Sequence, residues 1–299
     1  MRLKQRFSRL APVTLLVVGA LIAGCSQAVT PAPEPEAYQP TPIPDDITEL
    51  YRAFGNDEAD TVWIYEQGGP AHEFDPAYGF FAHYFEPADV HFIQVHQTLT
   101  LNHRLAEREV DWMLPELQAE VDVSVEILHR TIEHFKEQGK RVVVVGHSYG
   151  AFLVTRYLAI EGPEAADRYL IMAGRLDMPK EVVKGFLRGE PYLFPNAVTP
   201  VQVEGMQFTP RELMEMRIAG ATGDDRYTSE LADTDLAQVI YVYGTHDRRV
   251  GRLTEAEVEF LKSKGSMVLP VHSPTLEDDH ASMLMDSDVI REIVAALNE

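Results

Sequence analysis

The chain has 299 residues, a formal net charge of −21, 45% hydrophobic and 24% charged residues, and one cysteine. This length and balance are typical of a globular protein with a sizeable core, which excludes a fibrous or wholly disordered chain. The acidic charge argues against a protein that binds nucleic acid, and one cysteine allows neither an internal disulfide nor a cysteine-rich zinc site.

The first 24 residues have the pattern of a secretory signal peptide. Four basic residues precede the apolar run 10–23, which is too short for a membrane-spanning helix. The run ends in LIAGC at residues 21–25, which resembles a bacterial lipobox. This resemblance implies that Cys25 is lipidated and becomes the mature N-terminus; an ordinary signal peptide with a chance cysteine is the alternative. Because Ser26 is not an aspartate, we expect a lipoprotein anchored in the outer membrane and facing the periplasm.

A proline-rich segment follows the predicted lipid anchor. Six prolines lie between Pro31 and Pro44 at nearly alternate positions. Such a run favours an extended polyproline II backbone and disfavours a helix or a central strand. Residues 25–46 are therefore predicted to be a tether that holds a soluble domain, residues 47–299, away from the membrane.

From residue 47 onward, short β-branched runs alternate with longer amphipathic runs, a pattern that predicts an α/β fold with a mostly parallel sheet. The predicted strands are 62–65, 90–95, 141–145, 169–173, 239–243 and 267–271. The predicted helices are 109–138, 151–160 and 289–297. We expect about six strands, with 90–95 near one edge and no strand in 47–60. The stretch 177–235 lacks a clear strand and is predicted to be an inserted cap; helical padding of the core is the alternative.

The strand 141–145 runs into GHSYG at residues 146–150, a G-x-S-x-G sequence that is followed by a predicted helix. A tight strand-to-helix turn forces Ser148 outward, and its glycines avoid a clash with the neighbouring strand and helix. The hydroxyl would lie at the positive end of the helix, which favours developing negative charge. Here the sequence resembles the α/β-hydrolase family, from about residue 61 to the C-terminus. The resemblance implies that Ser148 is a nucleophile, followed along the chain by an acid and then a histidine; a structural serine in a glycine turn is the alternative.

The acid of a catalytic triad is expected just after one of the last strands along the chain. Residues 244–247 read GTHD and directly follow the strand 239–243. In the family, the aspartate of such a turn is the usual triad acid, so Asp247 is predicted to orient the histidine. Asp177, which follows the strand 169–173, is the alternative acid.

Two histidines after the last strand could serve as the base. His280 is the second residue of DHASML at 279–284, a run that resembles one found in thioesterase-like members of the family. The loop before His280 is long enough for this residue to reach Ser148. His272 begins HSPTLE at 272–277, which resembles a common H-S-P-x-L-E run of the family. Because His272 is still on the strand end and has less reach, His280 is the predicted base and His272 the alternative.

An acyl-transfer site also needs N–H groups for the oxyanion. The resemblance implies that one is the backbone N–H of Tyr149 and that the other comes from the loop after the strand 62–65. This loop reads QGGP at 67–70 and resembles the family's H-G-x-P turn, with Gln67 in place of the histidine. Gly69 is the predicted donor, and Gly68 is the alternative.

The residues together predict a serine hydrolase of the carboxylesterase or thioesterase kind, which acts on a small acyl substrate through an acyl-enzyme. No cofactor is expected, and no metal site is expected because the histidines form no i,i+4 pair. GGP at 68–70 is similar to proline iminopeptidases, which makes a peptidase one alternative. A binding lipoprotein that keeps the fold without turnover is the other.

Overall fold

The computed structural model describes residues 37–76, 82–84, 90–108 and 111–297. The predicted signal peptide, the predicted lipidation site Cys25 and the predicted tether up to residue 36 lie outside the described residues. The compact unit of the chain begins at Tyr38. Among the described residues, none of the helices combines the length and the apolar character that crossing a membrane requires.

Seven of the strands form one sheet and two form a separate hairpin. The strands are β1 (Tyr51–Gly55), β2 (Thr61–Glu66), β3 (Val90–Val95), β4 (Arg141–His147), β5 (Arg168–Met172), β6 (Tyr192–Leu193), β7 (Val201–Gln202), β8 (Val239–Gly244) and β9 (Met267–Val271). The order in the main sheet is β1-β3-β2-β4-β5-β8-β9, and β6 pairs only with β7. All neighbours in the main sheet run parallel except β1, which is antiparallel to β3. The predicted α/β fold with a mostly parallel sheet is confirmed.

The strand count differs from the prediction because β1 was missed. In β1, Tyr51 is half-buried and the next four residues are exposed. An edge strand buries little on either face, so it shows no hydrophobic alternation that a sequence pattern could reveal. The sheet therefore has seven strands rather than about six, and β3 lies one strand in from the edge.

Helices cover both faces of the sheet. They are α1 (Thr98–Leu101), α2 (Leu114–Glu137), α3 (Tyr149–Glu161), α4 (Lys180–Arg188), α5 (Pro210–Thr222), α6 (Tyr227–Glu230), α7 (Glu255–Ser263), α8 (Asp279–Met285) and α9 (Ser287–Leu297). Val142 and Val144 of β4 pack in the core that α2 and α3 cover. Val143 and Val145 pack in the second core, which α9 covers. The run of four valines is thus buried on both faces, as expected for a central parallel strand.

The segment that precedes β1 packs against α2, in contrast to the predicted tether. The hydroxyl of Tyr38 donates to the Oε1 of Glu120 at 2.5 Å, and the backbone N–H of Thr41 donates to the same oxygen at 2.9 Å. The Tyr38 ring also meets Trp112 edge to face. A proline-rich pattern predicts an extended backbone but does not show whether that backbone packs on a surface. The domain boundary therefore moves from residue 47 to Tyr38.

The stretch 177–235 contributes no strand to the main sheet. It contains α4, the β6–β7 hairpin, α5 and α6, and it connects β5 to β8. Helix α5 packs against both α4 and α2. This arrangement places the stretch beside the N-terminal end of α3, where the site described below lies.

Candidate active site

Ser148 lies on the sharp turn between β4 and α3. Its backbone has φ 55° and ψ −118°, a strained conformation for a residue with a Cβ. The flanking glycines have no room for a side chain. A Cβ on Gly146 would lie 2.6 Å from the carbonyl oxygen of Gly150, and a Cβ on Gly150 would lie 2.0 Å from that of Glu66. The turn requires both glycines, and it presents the Ser148 hydroxyl at the N-terminus of α3.

The structure brings together the three residues that the sequence predicts for a triad. The Nε2 of His280 lies 2.8 Å from the Oγ of Ser148. The Nδ1 of the same imidazole lies 2.8 Å from the Oδ2 of Asp247. Asp247 is 1% exposed and follows β8, whereas His280 lies in the first turn of α8. A proton can therefore pass from the hydroxyl to an imidazole that a carboxylate holds in place.

The carboxylate of Asp247 is stabilised in its charged form. Burial raises its pKa, but the nearby His280 and hydrogen bonds from His280 and from two backbone N–H groups lower it, and the pKa is lowered overall. These N–H groups belong to Arg249 and Val250, and both donate to Oδ1 at 2.9 Å. The ionised Asp247 accepts the Nδ1–H of His280, which leaves Nε2 as the acceptor for the Ser148 hydroxyl.

His147, inside the G-x-S-x-G sequence, makes a contact with His280 that sequence analysis missed. Its Nε2 lies 2.9 Å from the backbone oxygen of His280. Burial, and then the charge of the nearby His280, lowers the pKa of His147 to about 3, so the ring is neutral. A carbonyl only accepts, so Nε2 carries the proton and donates it. His147 therefore fixes the backbone of His280. In the sequence, only the position of His147 next to Ser148 indicated that its side chain lies near the site.

The alternative acid and base lie in other hydrogen-bond networks. Asp177 accepts a hydrogen bond from the Thr228 hydroxyl of α6 at 2.5 Å. The Nδ1 of His272 lies 3.1 Å from the Oδ1 of Asp279. Among the described residues, no hydrogen bond joins either Asp177 or His272 to Ser148.

The loop after β2 lies directly beside Ser148. A Cβ on Gly68 would lie 3.3 Å from the Cβ of Ser148, which shows how closely the backbone approaches the hydroxyl. Gly69 has φ 139°, a conformation that favours glycine, and it shares a cavity wall with Ser148 and Tyr149. The peptide bond between Gly69 and Pro70 is cis. Tyr149 is the first residue of α3, so its backbone N–H has no carbonyl within the helix to which it can donate a hydrogen bond.

Gln67 holds this loop through its side-chain amide. Its Nε2 donates to the carbonyl oxygen of Glu73 at 2.8 Å, and its Oε1 accepts from the N–H of Asp75 at 2.6 Å. The same Oε1 accepts from the Nε2 of Gln94 at 2.7 Å. The Nε2 of Gln97 donates to the Gln67 carbonyl at 2.8 Å. Gln67 is fully buried, so this set of bonds fixes the backbone just before Gly68 and Gly69.

An apolar cavity of about 70 Å³ opens next to Ser148. Its lining comes from the loop after β2, the turn after β4 with the start of α3, helices α4 and α5 with the residues next to them, and the loop after β8. The residues that line it are Gly69, Ser148, Tyr149, Phe152, Met178, Val182, Val183, Phe186, Ala219, Gly223, Arg249 and Val250.

Comparison with known proteins bears on the family and the fold of the chain. Residues 110–296 match the model of the alpha/beta hydrolase family. No curated protein matches the chain. MGS-M2, an alpha/beta hydrolase enzyme from a Medee basin deep-sea metagenome library, is 12% identical with a TM-score of 0.55, over 83% of this chain and 94% of that chain. A structure reported with LipS and LipT, two metagenome-derived lipolytic enzymes, is 13% identical with a TM-score of 0.51. The match covers 82% of this chain and 96% of that chain.

A bromoperoxidase from Bacillus anthracis is also similar, at 12% identity and a TM-score of 0.52 over 83% of this chain and 95% of that chain. Identities this low relate the structures by fold alone. The family model, in contrast, matches the sequence itself over well more than half of its length. The chain belongs to the alpha/beta hydrolase family.

Proposed function

We propose that this chain is a serine hydrolase that cleaves an ester or thioester bond through an acyl-enzyme. Ser148 is the nucleophile, His280 the general base and acid, and Asp247 the residue that orients His280. The observation that carries the proposal is the line of two hydrogen bonds, 2.8 Å each, from Asp247 through His280 to Ser148. This line ends at an apolar cavity, where an acyl group can lie next to the hydroxyl.

The reaction follows from the position of each group. The Oγ of Ser148 attacks the substrate carbonyl while the Nε2 of His280 takes its proton, and Asp247 stabilises the imidazolium. The N–H groups of Gly69 and Tyr149 bind the oxyanion that forms. Collapse of this intermediate breaks the ester or thioester bond, and His280 gives the proton to the departing alcohol or thiol. Water then attacks the acyl-enzyme by the same route, with no cofactor in the cycle.

The cavity favours a short acyl group. Its walls are apolar and its volume is about 70 Å³. An apolar cavity of about 150 Å³ is enough to hold benzene, so this one suits an acyl chain of about two to four carbons. Half of its twelve lining residues, among them Met178, Val182 and Phe186, come from the stretch 177–235. We therefore propose that this stretch is a cap, which covers the acyl group and limits its length.

Labelling by a fluorophosphonate, combined with a series of p-nitrophenyl esters, tests the proposal. We expect the wild-type chain to be labelled and Ser148→Ala to be unlabelled, because only an activated hydroxyl reacts. Ser263→Ala is the matched control, since Ser263 is an exposed serine at the end of α7, and it should be labelled like the wild type. The value of kcat/KM should be higher for the acetate and butyrate esters than for the decanoate.

Two results would contradict the proposal. A folded wild-type chain that is neither labelled nor active on any ester would favour the binding lipoprotein. Cleavage of peptides with an N-terminal proline, without cleavage of esters, would favour the peptidase.

We also propose that Cys25 carries a lipid that anchors the protein in the bacterial envelope. The support is the lipobox-like LIAGC at residues 21–25, after a basic and apolar leader. In a bacterium grown with labelled palmitate, we expect the wild-type chain to take up the label and to lie in the outer-membrane fraction, and Cys25→Ser to take up none. Ser26→Asp is the matched control: it should stay membrane-bound but move to the inner membrane. Palmitate uptake by Cys25→Ser equal to that of the wild type would contradict the proposal.

A further inference from the structure

Three side chains that can bind a metal ion meet next to the segments that carry Asp247 and His280. His246 follows β8, His272 follows β9, and Asp279 is the first residue of α8. One donor atom from each side chain lies within 4.8 Å of the other two. The two imidazole rings pack with their centroids 4.3 Å apart. The absence of an i,i+4 pair in the sequence does not bear on this site, because three separate segments form it.

The spacing of the donor atoms suits a tetrahedral ion. The Nδ1 of His272 lies 3.1 Å from Oδ1 and 3.3 Å from Oδ2 of Asp279, and the Nδ1 of His246 lies 3.7 Å from Oδ2. Ligands at about 2.0–2.2 Å from a tetrahedral Zn²⁺ lie about 3.3–3.6 Å from one another. The three groups can close on an ion through rotations of their side chains, in which the Nδ1 of His246 leaves the Thr245 hydroxyl that lies 2.9 Å from it.

Asp279 is already oriented for this role. It is fully buried, and its carboxylate accepts the backbone N–H of His246 at 2.7 Å and that of Ser273 at 2.9 Å. Within the described part of the chain, no lysine or arginine forms an ion pair with it, because Arg248 and Arg249 pair with Glu277 and Asp278. A buried carboxylate that backbone N–H groups orient and no fixed cation neutralises is typical of a metal ligand with its supporting shell.

We propose that His246, His272 and Asp279 form a binding site for a divalent transition metal, with Zn²⁺ the best fit. Two imidazoles and one carboxylate favour Zn²⁺ over Ca²⁺ or Mg²⁺, which prefer oxygen ligands. Solvent supplies the fourth ligand, because the side chains of His246 and His272 are 62% and 50% exposed. On binding, each imidazole carries its proton on Nε2 and gives the Nδ1 lone pair to the ion.

The site connects the two segments that carry the acid and the base. His246 directly precedes Asp247, and Asp279 directly precedes His280. An ion held by both would fix these segments to each other and to the end of β9. The bound ion would not touch the reacting atoms, so its role is structural and does not depend on the proposed hydrolysis.

Titration with Co²⁺, which reports its own geometry by visible absorption, tests the site. The experiment uses the full chain in a Cys25→Ser background, so that its one thiol does not bind the ion. We expect one Co²⁺ per chain with the spectrum of a four-coordinate site, and loss of that spectrum when Zn²⁺ is added. His246→Ala and His272→Ala should each weaken binding by at least about tenfold. His134→Ala, on α2, is the matched control and should bind like the wild type.

A second readout is thermal unfolding, in which Zn²⁺ should raise the Tm of the wild type and not that of His272→Ala. The proposal is wrong if the wild-type chain shows no saturable four-coordinate Co²⁺ spectrum. It is also wrong if both histidine variants keep the wild-type affinity. Neither readout uses ester cleavage, so failure here and failure of the proposed hydrolase activity are distinguishable.

Discussion

Replacement of His280 by alanine is expected to lower kcat for ester hydrolysis on the order of 10⁶-fold, the scale of a lost triad base. Without the imidazole, no group in the described structure takes the proton from the Oγ of Ser148, because Nε2 of His280 is its hydrogen-bond partner. The fold should survive, since His147 contacts the backbone oxygen of His280 rather than its side chain. Steady-state kinetics and thermal unfolding measure the two effects separately.

His272→Ala is the matched comparison, because His272 is the other histidine after β9. We expect it to keep fluorophosphonate labelling, since its Nδ1 bonds Asp279 and not the triad. Measurements with EDTA present separate this comparison from any bound metal ion. If His272→Ala lost labelling while His280→Ala kept it, the base would be His272 and the geometry of the triad would need revision.

Asp247→Asn is expected to lower kcat about 10⁴-fold with little change in KM, as the loss of a triad acid does elsewhere. The asparagine oxygen can still accept the N–H groups of Arg249 and Val250. Its amide nitrogen would then donate to the Nδ1 of His280, which places the imidazole proton on Nε2. That tautomer cannot take the proton of Ser148. Asp177→Asn is the matched control, and its kcat should stay within about threefold of the wild type because Asp177 bonds Thr228 instead.

Asp247→Asn is also expected to change how the stability of the folded chain depends on pH. The pKa of Asp247 is lowered in the folded chain, so its charged form stabilises the fold above the ordinary aspartate pKa of about 3.9. That stabilisation is lost as the pH falls through the lowered pKa, and Asp247→Asn removes it at every pH. A plot of Tm against pH should therefore fall less steeply at acid pH for the variant. Parallel curves for the two proteins would contradict the assignment of a stabilised charge to Asp247.

The sequence predicted those parts of the molecule in which a short segment determines the local structure. The four valines of β4 and the two glycines around Ser148 specify a buried strand and a sharp turn within ten residues. The structure shows why the turn needs glycine, since a Cβ at Gly150 would clash with the backbone of β2. The choice of Asp247 and His280 came from the resemblance to the α/β-hydrolase family, in which an acid and then a histidine follow the nucleophile along the chain.

Other features depend on contacts between distant segments, which residue patterns do not encode. Strand β1 is mostly exposed and is held by β3, about forty residues further along the chain. Tyr38 bonds Glu120 across 82 positions, although its segment looks like a free tether. The hydrogen bond from His147 to the backbone of His280 spans 133 positions. Burial and long-range pairing decide these features, and both become visible only when the chain is folded.

The hydrogen bonds made by Gln67 also bear on how the loop after β2 responds to pH. The loop that carries Gly68 and Gly69 is held by primary amides, those of Gln67, Gln94 and Gln97. An amide neither gains nor loses a proton across the physiological range, whereas the histidine of the family's H-G-x-P turn would. These amide hydrogen bonds therefore do not depend on pH, and the titratable side chain beside them is Glu66, which accepts a hydrogen bond from the Nε2 of Gln97 at 3.3 Å and whose pKa is raised by burial. In surroundings of changing acidity, the links made by Gln67 and Gln94 would persist, and Glu66 is the side chain of this described network through which protonation would act on the loop.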